Sequence, residues 1–218
     1  MEGIATLGVA HAVRVPLGEP AGPANDEGRL NACHAALEIQ DAIDAFNRRH
    51  GETAQMRTRI GLDTGILGLG PVAGELQAVG NAANVATRIQ HLNKRLGTRL
   101  LASTAVVEGL DALIVRPLGR FALDGVAEPV GIAEIRGLRT AESDADRRLR
   151  EDFAMGLALY ERGDWPAAVE HYRRLEREWP NDGPVRYSRG RAERQGRTEP
   201  TAGESAPLIG SDRRDGTE

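Results

Sequence analysis

The sequence predicts an α+β fold, with helices packed on an open sheet and a helix pair appended at the C-terminal end. Three observations carry this prediction. Apolar residues recur at helical spacing over 28–49 and again over 81–96. Between and after these runs, short segments alternate apolar and polar residues as half-buried strands do. Beyond residue 138 strand character ends and only helical spacing returns.

Taken in order, residues 9–15 read as a first strand, and 18–28 (GEPAGPANDEG) as a loop by its glycine and proline content. The helix that follows is capped by Asn25 or Asp26 and carries Ala32, Ala36, Ile39, Ile43 and Phe46 as its stripe. Met56, Thr58, Ile60 and Leu62 alternate with Arg57 and Arg59 as a strand over 56–63. Asp63-Thr64-Gly65 is read as a turn into a second strand at 65–72. The next helix starts near Asn81, carries Val85, Ile89, Leu92 and Leu96 as its stripe, and stops at Gly97. A strand at 99–103, a short helix at 104–111 and strands near 114–123 and 130–136 complete an antiparallel-rich sheet. The helices 28–49 and 81–96 are expected on the same side of it.

Residues 147–180 read as two helices joined at Gly163-Asp164 and ended by Pro180. Phe153, Leu157 and Tyr160 lie on one face of the first helix, and Ala167, Ala168, Tyr172 and Leu175 mark the second. One such pair cannot bury its apolar face alone, so it must pack on the first domain (1–137) or on a partner. From 189 to 218 apolar residues nearly vanish, which predicts a disordered tail.

A net charge of −4 offers no field for nucleic acid. Aromatics are only 4 %, so the core rests on aliphatic residues. The single cysteine, Cys33, falls in an alanine-rich helix and reads as core rather than nucleophile. No histidine stands at zinc-ligand spacing. No apolar run reaches the roughly 18 residues of a membrane span, and no signal peptide precedes the domain, so the expected location is cytoplasmic. Gly68-x-Gly70-x-x-Ala73 nominally fits a dinucleotide fingerprint, but Pro71 and the residues after it cannot open a helix.

The segment VGNAANVATRI at 79–89 carries the most chemistry. Asn84 and Arg88 stand one helical turn apart on one face. A neutral hydrogen-bonding group beside a planar cation suits an anionic ligand rich in oxygen, such as a nucleoside triphosphate. The same two residues also suit a plain solvated helix face.

Collinear with this segment are NACHAALEIQDAI at 31–43, RIGLDTGILGLGPVAG at 59–74, LLAST at 100–104 and RPLGRFALDGVAEPVGIAEI at 116–135. Over residues 9–137 this order and spacing resembles the class III adenylate/guanylate cyclase catalytic domain, closest in flavour to the bacterial CHASE2-associated type. LYERGDWPAA at 159–168 is similar to the helical tail such proteins carry and resembles one tetratricopeptide-type pair.

The resemblance implies a ferredoxin-like nucleotide cyclase sandwich lacking its first strand region. It implies cyclic AMP made from ATP, or the GTP equivalent, in a homodimer or cyclase heterodimer, with Mg or Mn held by two Asp carboxylates. Asn84 and Arg88 fall on the catalytic Asn and Arg positions, with Gly80 and Ala86 as the small residues around them. Gln77 falls where the base is selected and suits either purine. Asn81 replaces a frequent Asp and also suits a helix cap. His11 falls on a metal-Asp position, Leu7 near a base-selecting Lys, and Asp124 on a phosphate-gripping Lys. The family's other metal-binding Asp belongs to a strand upstream of the matched region. The expectation is therefore a cyclase-family signalling protein, degenerate or incomplete as a lone chain. The alternative is a regulatory or interaction module that uses the dimer surface and offers the tail to a protein partner.

Overall fold

The structure is a computed structural model; it describes residues 4–11, 26–51, 55–65, 68–72, 75–79 and 81–197. In chain order these form β1 (Ile4–His11), α1 (Asp26–His50), β2 (Arg57–Thr64), β3 (Gly68–Val72), β4 (Glu75–Val79), α2 (Asn81–Leu96), β5 (Leu100–Ser103), α3 (Thr104–Val107), β6 (Leu113–Phe121) and β7 (Val130–Leu138). A 3-10 turn at Arg139–Ala141 leads into α4 (Asp144–Glu161), α5 (Trp165–Glu178) and α6 (Gly183–Arg197).

Five strands make one sheet in the order β1-β2-β5-β7-β6. The β1–β2 and β2–β5 pairs are parallel, and β5–β7 and β7–β6 are antiparallel. The α+β class stands, with an evenly mixed sheet in place of an antiparallel-rich one. The first strand spans Ile4–His11, earlier than the 9–15 expected; 12–15 lie outside the described residues. The strand expected at 65–72 does not join this sheet. It forms a separate antiparallel ribbon in which Gly68 pairs with Val79 and Gly70 with Gln77.

Side chains alternate across a strand, and here both faces of the central strands are apolar. Ile60, Leu62, Leu100, Ala102, Ala133 and Ile135 join Cys33 and Ala36 of α1 in one core. Leu101 and Ile132 join Val85, Ile89, Leu92 and Leu96 of α2 in another. So α1 and α2 cover opposite faces, not one face as expected. A strand that is apolar at successive positions must be covered twice. The α1 stripe is also rotated from the expected line: Cys33 and Ala36 are buried, and Leu30, Leu37 and Ile39 pack beside them.

The helices beyond residue 143 are part of the α2-side core. Leu149 and Phe153 of α4, Tyr172 and Leu175 of α5 and Val185 of α6 pack with the α2 stripe and with Leu118 and Phe121 of β6. Ser143 caps α4 by accepting from the Asp146 amide, and Asp164 caps α5 by accepting from the Ala167 amide. The third helix corrects the disordered tail expected from 189, since residues 189–197 are helical; 198–218 lie outside the described residues. Its sequence is polar, yet Val185, Ser188, Arg191 and Ala192 fall on one buried face.

Candidate active site

The position of α2 is set by contact between backbones. A Cβ on Gly61 of β2 would overlap the Ala86 carbonyl and the Gln90 amide. Only glycine lets the helix lie this close to the strand. Asn93, fully buried, donates from its amide to the Ile60 carbonyl at 2.9 Å, and its own carbonyl accepts from the Thr98 hydroxyl at 2.8 Å. Gly97 ends the helix at φ +69°, the left-handed conformation that stops a helix without a Cβ penalty. With one face anchored in this way, the opposite face of α2 is fixed outward.

That outer face carries Asn81, Asn84, Thr87, Arg88 and His91, all exposed. Neither Asn84 nor Arg88 has a hydrogen-bond or ion-pair partner among the described residues. The sequence places Arg88, Lys94 and Arg95 on α2 and no acid at all. The surface therefore favours anions. Arg95, nearer the end of α2, lies against α6, with its guanidinium 5.9 Å from the Tyr187 ring centre.

The other sequence-derived positions are distributed as follows. Asn81 is the first residue of α2. Gln77 lies in β4, in register with Gly70, and that strand leads toward α2. Gly80 lies outside the described residues. His11 ends β1 in register with Thr64 of β2, and Leu7 pairs with Ile60. Asp124 is exposed in the turn after β6. The structure thus groups Asn81, Asn84 and Arg88 on one face.

Asp63 was read as a turn residue, and the structure corrects this: it is part of β2 and only 8 % exposed. It shares the α2-side face of the sheet with Gly61. Burial pushes its carboxyl above the usual range, while the nearby Ser103 hydroxyl and Thr64 amide oppose that rise. Gly65, just beyond it, lies against Ala82, so the N-terminus of α2 is seated over this end of β2. The signal available in the sequence was the continuation of the strand alternation through Asp63. Turn propensity of Asp-Thr-Gly outweighed it.

A divalent Mg or Mn ion takes hard carboxylate oxygens. Among the described residues no three His, Cys, Asp or Glu side chains gather into a set able to hold a metal. Asn84 and Arg88 bring an amide and a cation, which do not fit one either.

No protein-family model matches the chain. It is 36 % identical over 115 residues to adenylate cyclase 1 of Rhizobium meliloti (strain 1021), a stretch covering 50 % of this chain and 17 % of that protein. It is 26 % identical over 165 residues to the terminal-differentiation specific adenylate cyclase of Dictyostelium discoideum, covering 72 % and 8 %. It is 34 % identical over 96 residues to an adenylate cyclase of Anabaena cylindrica, covering 39 % and 19 %. The chain thus spans less than a fifth of the length of each of these curated relatives. Among solved structures it is similar to a bacterial light-regulated adenylyl cyclase (TM-score 0.43, 22 % identity, 52 % of this chain and 61 % of that one). It is also similar to the adenylyl cyclase CyaB from P. aeruginosa (TM-score 0.45, 18 % identity, 58 % and 67 %). The chain is thus similar in sequence to parts of three adenylate cyclases, and the aligned region carries an exposed Asn and Arg one turn apart on α2.

Proposed function

We propose that this chain supplies the cationic half of a nucleotide cyclase site and acts on a purine nucleoside triphosphate, with a second chain completing the site. The observation that carries this reading is the pairing of Asn84 with Arg88 on the outer face of α2, exposed and without partners among the described residues. The cyclase reaction builds negative charge on the α-phosphate oxygens as the ribose 3′-oxygen attacks and pyrophosphate leaves. A guanidinium aimed at those oxygens stabilises that charge without reorganising. Asn84, one turn earlier, hydrogen-bonds the ribose and holds it for attack. Likeness to adenylate cyclases favours ATP over GTP. When Mg or Mn is bound by the completing chain, it supplies charge neutralisation on the phosphates.

The test mixes this chain with a cyclase relative whose own Asn and Arg are mutated. Restored cyclic nucleotide production, lowered by Arg88→Ala on the order of 10²–10³-fold, supports the half-site. Robust production by this chain alone overturns the need for a second chain. No production from any mixture overturns the half-site itself. The packing of α4–α6 into the α2 core favours the tail as scaffold for this domain over the tail as a free docking module.

A further inference from the structure

The outer face of α2 continues past Arg88. Positions 84, 88, 91 and 95 follow spacings of four, three and four, which make one lengthwise row on a helix. That row reads Asn84, Arg88, His91 and Arg95, and all four are exposed. At the helical rise per residue, Arg88 and Arg95 stand about 10 Å apart along the axis. Lys94 is exposed as well, but lies about a quarter-turn off the row. The helix carries no Asp or Glu to neutralise these groups.

Arg95 is held in place. Its guanidinium lies 5.9 Å from the Tyr187 ring centre, and a terminal nitrogen donates to the Tyr187 hydroxyl at 3.4 Å. Tyr187 is itself stacked on the buried Phe121, ring centres 5.9 Å apart. An arginine has five N–H donors, so most remain for a ligand. A side chain ordered beforehand loses less entropy on binding. Arg88 and His91 have no hydrogen-bond or ion-pair partner among the described residues.

A single phosphate reaches one of these groups. A linear chain of phosphates reaches all three, and the guanidinium forks at the two ends fit phosphate oxygens. His91 between them donates a hydrogen bond, and adds a charge when protonated. We propose that Arg88, His91 and Arg95 bind a linear polyphosphate lengthwise. A nucleoside triphosphate with its α-phosphate at Arg88 then lays its β- and γ-phosphates toward His91 and Arg95. The place of the α-phosphate rests on the half-site reading; the row itself does not.

Titration calorimetry of the full chain at low salt tests this with inorganic tripolyphosphate, and with orthophosphate and triglutamate as controls. Exposed charge contacts are weak, so Arg88→Gln, His91→Gln and Arg95→Gln should each lower tripolyphosphate affinity about threefold. Two further contacts of that size make tripolyphosphate about tenfold tighter than orthophosphate. Lys94→Gln removes a charge beside the row and should leave the affinity unchanged. All four side chains are exposed, so the variants keep the wild-type unfolding temperature. Equal losses in Lys94→Gln and Arg95→Gln would show attraction to net charge alone and overturn the proposal. So would no heat with tripolyphosphate, or equal binding of triglutamate, which would assign the row to an acidic peptide. Complementation separates the row from the half-site. If Arg95→Gln weakens tripolyphosphate binding while no mixture makes cyclic nucleotide, the row stands without the half-site. If complementation succeeds while Arg95→Gln keeps wild-type affinity for tripolyphosphate, the half-site stands and the row fails.

Discussion

Two buried positions on β2 set the local chemistry beneath α2. Gly61 has no room for a side chain, because the Ala86 carbonyl and Gln90 amide occupy the place of its Cβ. Gly61→Ala must push a helix off a strand, an overpacking cost of about 1–3 kcal/mol or more. The expected outcome is a lower urea midpoint, together with weakened complementation because Asn84 and Arg88 move with the helix. An unchanged midpoint would show that the contact is not as close as described. Asp63 is a separate case, since burial raises its folded-state pKa above the unfolded value of 3.8. Its neutral form is compatible with the core, so its contribution is fully present below the unfolded pKa. That contribution is lost as pH rises through the folded pKa and the carboxyl ionises. Asp63→Asn cannot ionise, so its unfolding temperature should gain on wild type as pH increases from about 3 to 7. Parallel curves for the two proteins would contradict this. Cys33, fully buried, has its thiol pushed up to about 11 and is inert at neutral pH.

At the scale of elements, the joint between the sheet and α6 rests on a buried ion-pair network. Arg116 of β6 is 0 % exposed and pairs with Glu134 of β7 at 2.6 Å and with Asp182 at 2.9 Å. Asp182 also caps α6, accepting from the Val185 amide at 2.9 Å. Removing one partner of a buried pair leaves a charge uncompensated and costs about 3–5 kcal/mol. Asp182→Ala should therefore destabilise the chain by that order. Asp164→Ala removes only the exposed cap of α5 and should cost about 1 kcal/mol. Chemical denaturation of the two variants distinguishes these cases, and equal losses would show that Asp182 acts as a cap alone. Much at this scale was legible in the sequence. The stripe Val85, Ile89, Leu92 and Leu96 is buried as its spacing predicted, and α2 ends at Gly97. Asn84 and Arg88 are exposed because they lie opposite that stripe. The ribbon formed by β3 and β4 was not legible, because a short apolar run gives no sign of which sheet it will join.

For the whole molecule, the C-terminal helices and the five-stranded sheet share one core. Phe153 and Tyr172, ring centres 5.5 Å apart, lie in the same cluster as Ile89, Leu101 and Phe121. The close approach of Gly183 to the Leu96 carbonyl joins α6 to the end of α2. The full chain should accordingly unfold in a single calorimetric transition. A chain ending near residue 142 should expose the α2 core and lose solubility or cooperative unfolding. A soluble, cooperatively folded truncation would show the helices to be a separate domain. No helix among the described residues is long and apolar enough to cross a membrane.

The sequence by itself determined the local features of α2: where the helix runs, which stripe it buries, and that Asn84 and Arg88 face away from the core. These follow from periodicity and helix-stop chemistry, which act over a few residues. Only the tertiary structure decided that α1 and α2 cover opposite faces, that Asp63 is a buried strand residue and that a polar C-terminal segment is the helix α6. Each of those outcomes depends on partners distant in the chain. Gly61 meets Ala86, Asp63 meets Ser103, and Arg116 meets Asp182 across 66 residues. Burial of polar groups is settled by the partner that satisfies them, and no spacing within a single segment names that partner.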